Sequence, residues 1–424
     1  RFFVALSALM TKIGQFEYIT DNFSGTVDYD PGPEVHTLTS KTGTSCLVKL
    51  TPDGEYIWAR APADYYIPTR NLTVDSNGDV IAVGEGIDIV VAKYYANGEP
   101  AWRYKMGSVA SQNDEAQHVA VDADNNVYIG GYFHGFINLN PIFLGWPDWH
   151  DAVPCGFPQF KTFVTKFSPD GDYLWSRSFE CDVTLVAMDV YPDGSVIVAG
   201  GTNGPADLDP TEGVNLCQQP GMFITKLGAD GSYLWSYFVA GRVDPNHLNL
   251  LPNGDILLSG DTFAYTQVDF DPTDGVLPYH CDCECSCTFL LCLDSEAQPR
   301  WLRQFQNIQM PHPAMAVSHS GEIYTVNYYN STPDADPTCG EDILQIGPTH
   351  NESFLTKLSC ITNPGDIDND GDVDLLDLAQ FQNCFRGAGS RSCSPGCDAF
   401  DLSPDNSLDL ADYTVMSTSV TGPK

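Results

Sequence analysis

The stretch FVTKFSPDGDYLWS, residues 163–176, reads as two alternating strands joined by a Pro-Asp-Gly turn and ending on Trp175. Four further copies share its pattern: CLVKLTPDGEYIWA (46–59), VVAKYYANGEPAWR (90–103), FITKLGADGSYLWS (223–236) and LLCLDSEAQPRWLR (290–303). Tryptophan stands at one place in all five, as Trp58, Trp102, Trp175, Trp235 and Trp301. A residue repeated this way is expected to pack between neighbouring sheets. A second hairpin precedes or follows each copy: LTVDSNGDVIAVG (72–84), VAVDADNNVYIGG (119–131), MDVYPDGSVIVAGG (188–201), LNLLPNGDILLSG (248–260) and MAVSHSGEIYTVN (315–327).

Two hairpins per unit make four antiparallel strands, and repetition of that unit specifies an all-β propeller. Pairing the hairpins gives six blades, with seven as the alternative count. The first blade is expected to open with residues 2–9, from RFFVALSALM, which reads as a strand rather than the apolar part of a signal peptide. FEYIT (16–20) follows it. The sixth has residues 315–327 and FLTKLSC (354–360) but no fourth, Trp-bearing strand, which predicts an open blade edge. A GxVYxxG strand followed by D-F-V-x-K and GxxxW resembles the SBBP-type bacterial propeller repeats over residues 15–358. That family comprises secreted proteins of mostly unassigned function, so the resemblance implies an architecture more than an activity.

The chain has 56 acidic and 20 basic residues among 424, a net charge of −36. This excludes nucleic-acid binding, which needs clustered cations, and disfavours anionic membrane surfaces. It suits a protein that holds divalent cations. No apolar run is long enough to span a bilayer. Fourteen cysteines without zinc-type CxxC pairs point to disulfides in an oxidising, extracellular setting. Cys281, Cys283, Cys285 and Cys287 alternate with polar residues. On one strand they would share a face about 6.5 Å apart. That spacing points to partners elsewhere, such as Cys217, Cys292 or Cys339, with a soft-metal cluster as the alternative.

Acidic turns recur between the second and third strands: Asp28-Tyr-Asp30-Pro, Asp207-Leu-Asp209-Pro, Asp269-Phe-Asp271-Pro and Asp334-Ala-Asp336-Pro, with Asn138-Leu-Asn140-Pro as a neutral cousin. An Asx-turn, in which the side chain caps its own backbone, accounts for the pattern. Paired carboxylates collecting hard cations along one face are the functional alternative. Glycosidase chemistry also uses two carboxylates, but no single pair stands out among near-equal copies. No GxSxG elbow or HExxH helix occurs, and no nucleophile–base pair can be placed along the chain.

A boundary at Asn363-Pro364-Gly365 separates a propeller over residues 1–362 from a module over 363–424. Residues 366–377, DIDNDGDVDLLD, match an EF-hand-type calcium loop in register. Asp366, Asp368 and Asp370 take positions 1, 3 and 5, and Gly371 makes the turn. Asp372 offers its carbonyl, Asp374 acts through water, and Asp377 closes the loop. A second loop, DLSPDNSLDLAD, places Asp401, Ser403, Asp405, Ser407, Asp409 and Asp412 equivalently, with Asn406 for glycine and fewer charges. Helices are expected over 375–385 and roughly 410–420. Two loop–helix units resemble a type I dockerin, which implies a calcium-dependent protein partner. The recognition positions, Leu375-Leu376 and Leu410-Ala411, depart from the Ser/Thr-like pair of that family. The linker holds Cys384, Cys393 and Cys397, with Cys384 expected to pair with Cys393 or Cys397.

These readings converge on a secreted, non-catalytic structural or adhesion protein with a propeller body and a calcium-stabilised docking module. Strand donation at the open edge would make it homopolymeric. The alternatives are a propeller binding polysaccharide through aromatic loops such as Phe143–His150, and a secreted hydrolase.

Overall fold

The protein's structure is a computed structural model that describes residues 9–13, 16–61, 69–84, 88–107, 114–142, 147–152, 160–305 (except 182, 264, 266, 273–276 and 282–286), 314–318, 321–329, 344 and 352–359, with Leu378, Phe381, Gln382, Tyr413 and Thr414 beyond them. Apart from three two-stranded hairpins, the described strands fall into six antiparallel sheets in chain order, five of four strands and a sixth of three. This is the blade pattern of a six-bladed β-propeller, as the hairpin repeat predicts. The first strand is Leu9–Ile13, paired with Phe16–Asp28. It lies beyond the expected 2–9, of which residues 2–8 are outside the described region. The sixth sheet contains Ala314–Val317, Glu322–Tyr329 and Glu352–Ser359. No helix among the described residues is long and apolar enough to cross a membrane.

Burial explains why the two middle strands of a blade read as apolar runs. Val80–Gly84 and Ile89–Tyr94 in blade 2 are buried at every residue, as are Ile256–Thr262 and Cys287–Leu293 in blade 5. Sheets cover both of their faces, whereas alternation survives in an edge strand such as Val183–Val190. Contacts divide the chain into two compact units whose boundary runs within blade 4. The first holds blades 1–3 and the start of blade 4, Arg1–Val198, with Pro205–Leu216 and Thr225–Trp235; the second holds Ala199–Gly204, Cys217–Ile224 and everything from Ser236 on, including blades 5 and 6. In the first, Tyr18, Leu47, Trp58, Leu72, Val80 and Tyr94 form one inter-blade core. In the second, Leu251, Leu257, Cys292 and Ile323 form another with Trp301 against it.

Ten hairpins of the blades close through the same five-residue turn. The first residue's N–H donates to the fifth residue's carbonyl, and the fourth residue's N–H donates to the first residue's carbonyl, as in 75–79 and 168–172. The fourth residue has positive φ, and glycine usually fills it. Asn125 and Ala297 take that place in two turns.

These turns also receive the neighbouring blade. Trp58 Nε1 and Lys49 Nζ both donate to the Ala96 carbonyl, at 3.1 and 3.2 Å. Trp102 Nε1 and Lys93 Nζ do the same to Pro169, at 3.0 and 3.3 Å. Trp175 Nε1 and Lys166 Nζ reach Ala229 at 3.0 and 3.1 Å. Trp58, Trp102 and Trp175 are therefore inter-blade packing residues, each paired with a lysine of the third strand, whereas Cys292 stands opposite Trp301. The buried ammonium groups are offset locally, Lys93 by Asp75 at 2.8 Å and Lys166 by Asp122 at 3.5 Å. Lys226 lies over the Tyr191 ring at 4.3 Å, Tyr191 standing where blades 2 and 3 have Asp75 and Asp122.

Gly171, at φ +90°, sits where a Cβ would come within 2.9 Å of the Trp102 ring, whereas Gly54, at φ +80°, faces open space. Gly54→Ala is expected to cost only left-handed backbone strain, roughly 1–2 kcal/mol. Gly171→Ala adds displacement of the tryptophan and is expected to cost more. Chemical denaturation of both variants checks this: equal losses would show that the turn does not seat the indole.

Candidate functional site

The repeated acidic loops lie between the second and third strands. In blades 3, 4 and 5 each carries a small hairpin: Phe136–Asn138 with Trp149–Asp151, Ala206–Asp207 with Leu216–Cys217, and Gln267–Asp269 with Pro278–His280. In blade 1 the long strands Phe16–Asp28 and Thr37–Leu50 continue outward past a register break to the same place.

The first Asx of each pair closes the loop with one oxygen. Asp28 Oδ1 accepts the N–H of Asp30 and of His36, at 3.2 and 3.0 Å. Asp207 Oδ1 accepts from Asp209 and Asn215 at 3.0 and 2.7 Å, and Asp269 Oδ1 from Asp271 and Leu277 at 3.0 and 2.8 Å. Asn138 Oδ1 does the same with Asn140 and Asp148, at 3.0 and 2.8 Å. A neutral amide therefore performs the task, so loop closure needs an acceptor oxygen and not a charge.

The residue between the two Asx positions, Tyr29, Leu139, Leu208 or Phe270, is buried as a plug. The second Asx caps further on: Asp30 Oδ1 accepts from Gly32 N–H, and Asp209 Oδ1 from the Thr211 N–H and hydroxyl. Asp334 and Asp336 lie outside the described residues.

A second tie runs from the loop to the first tyrosine of the fourth strand. The residue whose N–H closes the loop meets that tyrosine with its side chain. Asn215 Nδ2 donates to Tyr233 Oη at 2.6 Å, the Tyr173 hydroxyl donates to Asp148 Oδ2, and the His36 ring stacks on Tyr56 at 4.4 Å and 11°. Burial and the bond to Asp148 push the Tyr173 phenol up. Burial pushes Asp148 up as well, but hydrogen bonds from His150 and Tyr173 outweigh it and hold this carboxyl below its ordinary range.

Blade 3 extends the tie into a relay the sequence does not reveal. His150 Nδ1 lies 2.8 Å from Ser178 Oγ, and its Nε2 lies 3.2 Å from Asp148 Oδ2. Serine, histidine and aspartate thus meet although no nucleophile–base pair can be placed along the chain. The surroundings fit a tie better than a hydrolytic triad. Asp148 Oδ2 is shared with the Tyr173 phenol, and the amide after the serine, Phe179 N–H, is spent on the Thr162 carbonyl rather than offered as an oxyanion donor. Ser178 itself is paired with Phe163 in the sheet.

In blade 1, His36 Nε2 stands 3.2 Å from Glu34 Oε2 and 3.6 Å from Asp30 Oδ2. Of this group, sequence reading singled out only Asp30. Glu34 and His36 were legible only as the residues that one loop has and the other copies lack.

The cysteine reading needs correction. Cys281 pairs with Cys287, within the stretch itself, at a Cα separation of 5.7 Å. Six residues of one strand would span about 20 Å, so Cα atoms 5.7 Å apart do not belong to one strand; Cys281 follows Pro278–His280 and Cys287 begins Cys287–Leu293. Cys217 and Cys292, expected as partners, are buried thiols. Cys283 and Cys285 lie outside the described residues, and Cys181 is disulfide-bonded.

Both calcium loops, Asp366 to Asp377 and Asp401 to Asp412, lie outside the described residues, as do Cys384, Cys393 and Cys397. Beside them, Leu378, Phe381 and Gln382 are helical, as are Tyr413 and Thr414. Phe381 is buried, with its ring 6.1 Å from that of Tyr413.

No family model matches the chain. An uncharacterized WD repeat-containing protein, L264, of Acanthamoeba polyphaga mimivirus is 22% identical over 265 residues, covering 56% of this chain and 18% of that protein. The chain thus spans less than a fifth of that relative's length. Among solved structures, the Pan2 WD40 domain of Neurospora crassa overlaps 76% of this chain and 85% of its own at 11% identity, with a TM-score of 0.36. A protein of unknown function from Bacteroides caccae overlaps 59% and 83% at 14% identity, with a TM-score of 0.30. The blade assignment rests on strand order and pairing, not on these overlaps.

Asp207→Asn is expected to leave its loop closed, as Asn138 closes its own. Asp207→Ala is expected to release the Asn215 amide and cost about 1 kcal/mol. Hydrogen exchange at Asn215 separates the two, and equal protection in both variants would refute closure through the side-chain oxygen.

Proposed function

We propose that this is a secreted, non-catalytic structural or adhesion protein. Its propeller is the body, and residues 363–424 are a dockerin-like docking module stabilised by calcium at Asp366–Asp377 and, more weakly, at Asp401–Asp412. The observation that carries this reading is the employment of the acidic loops. Asp28, Asp207 and Asp269 spend an oxygen on two backbone amides, and Asn138 does so without charge, so the repeated pairs serve architecture rather than acid–base chemistry. The in-register calcium loop and the net charge of −36 favour cation-dependent assembly over anionic partners. The sixth blade's three described strands fit self-association by strand addition.

Size-exclusion chromatography and electron microscopy, with calcium and with chelator, test this directly. Larger or filamentous particles are expected in calcium, reverting to monomers on chelation. Monomers under both conditions would overturn the assembly reading.

A second reading, polysaccharide binding by the same propeller, is favoured by one feature. Phe136 and Trp149 stack face to face at 4.7 Å and 6° on the blade 3 hairpin, and Trp149 is 50% exposed. An exposed, rigid aromatic pair suits stacking against a sugar ring. Glycan-array binding that Trp149→Ala abolishes would support this role, and silence of the unaltered chain across the array would end it.

A further inference from the structure

In the blade 1 loop, the Glu34 side chain and the Nε2 nitrogen of His36 take no part in closing the loop or in its tie to Tyr56. In the equivalent loops, the position of His36 is held by Asp148, Asn215 and Leu277, and each closes its loop with the backbone N–H alone. His36 does this too, and its ring face makes the tie to Tyr56. The stacking fixes the plane of the imidazole without using Nε2. That nitrogen is directed at Asp30 and Glu34.

The Asp30 side chain is 8% exposed. Gly32 N–H holds its Oδ1, leaving Oδ2 to face the imidazole at 3.6 Å, too long for a hydrogen bond. Glu34 Oε2 closes the group at 3.2 Å from Nε2, and the three donor atoms lie within 4.8 Å of one another. Ligands bound at about 2.0–2.1 Å to one tetrahedral zinc ion stand about 3.3–3.4 Å apart. The two separations from Nε2 bracket that spacing. Glu34 is 78% exposed and free to swing inward, so the third separation is adjustable.

We propose that Asp30, Glu34 and His36 form a binding site for a zinc-class divalent cation, with water as the remaining ligand. The mixed nitrogen and oxygen donor set selects the metal. One imidazole and two carboxylates suit zinc and its first-row neighbours, whereas calcium takes six to eight oxygens. The bonds that orient Asp30 and His36, from Gly32 N–H and by stacking on Tyr56, come from residues outside the ligand set, as supporting groups around metal ligands do. The proposed site uses no residue of 366–377 or 401–412.

The test is zinc titration of the full chain by calorimetry in excess calcium, which fills oxygen-only sites elsewhere. His36→Asn is the informative variant, because Asn215 already stands at that place in the blade 4 loop. The unaltered chain is expected to take up one zinc equivalent more than the variant. A cobalt(II)-loaded chain is expected to show tetrahedral visible bands that the variant lacks. Glu34→Gln, at an exposed side chain that folding does not need, is expected to weaken zinc by roughly tenfold or more, since even outer-shell changes cost that much. Zinc uptake by either variant equal to that of the unaltered chain overturns the site. Displacement of the zinc equivalent by calcium at comparable concentration overturns it as well.

Discussion

A single carbonyl oxygen, shared by a tryptophan and a lysine of the preceding blade, is the contact on which the packing of blades 1 to 3 turns. Ala96, Pro169 and Ala229 each offer one from a hairpin turn. A backbone carbonyl has two acceptor directions, so it can receive an indole N–H and an ammonium together. The arrangement lets a lysine stem fill space between sheets while its charge meets a fixed dipole and, in blades 2 and 3, a carboxylate. Removing either donor leaves the other in place but strips a buried group of part of its compensation. The turn is therefore under two demands. It must adopt positive φ, and it must carry no Cβ where the indole lies.

Those demands explain which parts of the fold are legible along the chain. The Asp-Gly and Asn-Gly turns, the Trp period and the apolar middle strands are local features, and each appears as a pattern within fourteen residues. Strand pairing inside a blade follows from them. The shared carbonyl is not legible, because Trp102 and Pro169 are far apart in sequence and proline contributes only its oxygen. The lysines look like solvent-facing charges until a neighbouring turn is placed over them. The Cys281–Cys287 pair is hidden for a related reason: a spacing argument built on one continuous strand does not hold for two cysteines whose Cα atoms are 5.7 Å apart.

The acidic loops illustrate how charge and structure separate. A run of Asp-x-Asp-Pro motifs suggests cations when read alone, and Asx-turns when read beside Asn138. The geometry shows the first side chain holding two amides in every described copy, irrespective of charge. Aspartate in these places is an acceptor whose negative charge is incidental to closure. The Ser178–His150–Asp148 relay belongs to the same logic. It joins a hairpin to the outer strand in blade 3, where Asn215 and Tyr233 do so in blade 4 with one bond.

Internal repetition also supplies a control that a single-copy fold lacks. When four loops solve one closure problem, the atoms common to all of them belong to architecture. What remains differs from loop to loop and needs another reason. By that subtraction, the Asx oxygens, the plug residues and the loop-closing amides are structural. The Phe136–Trp149 stack in blade 3 and the Asp30–Glu34–His36 group in blade 1 are left over. Neither could be singled out by residue type alone, since aromatic and acidic residues are plentiful throughout the chain. They stand out because equivalent loops close without them, and a side chain that folding does not require is where a binding role can reside.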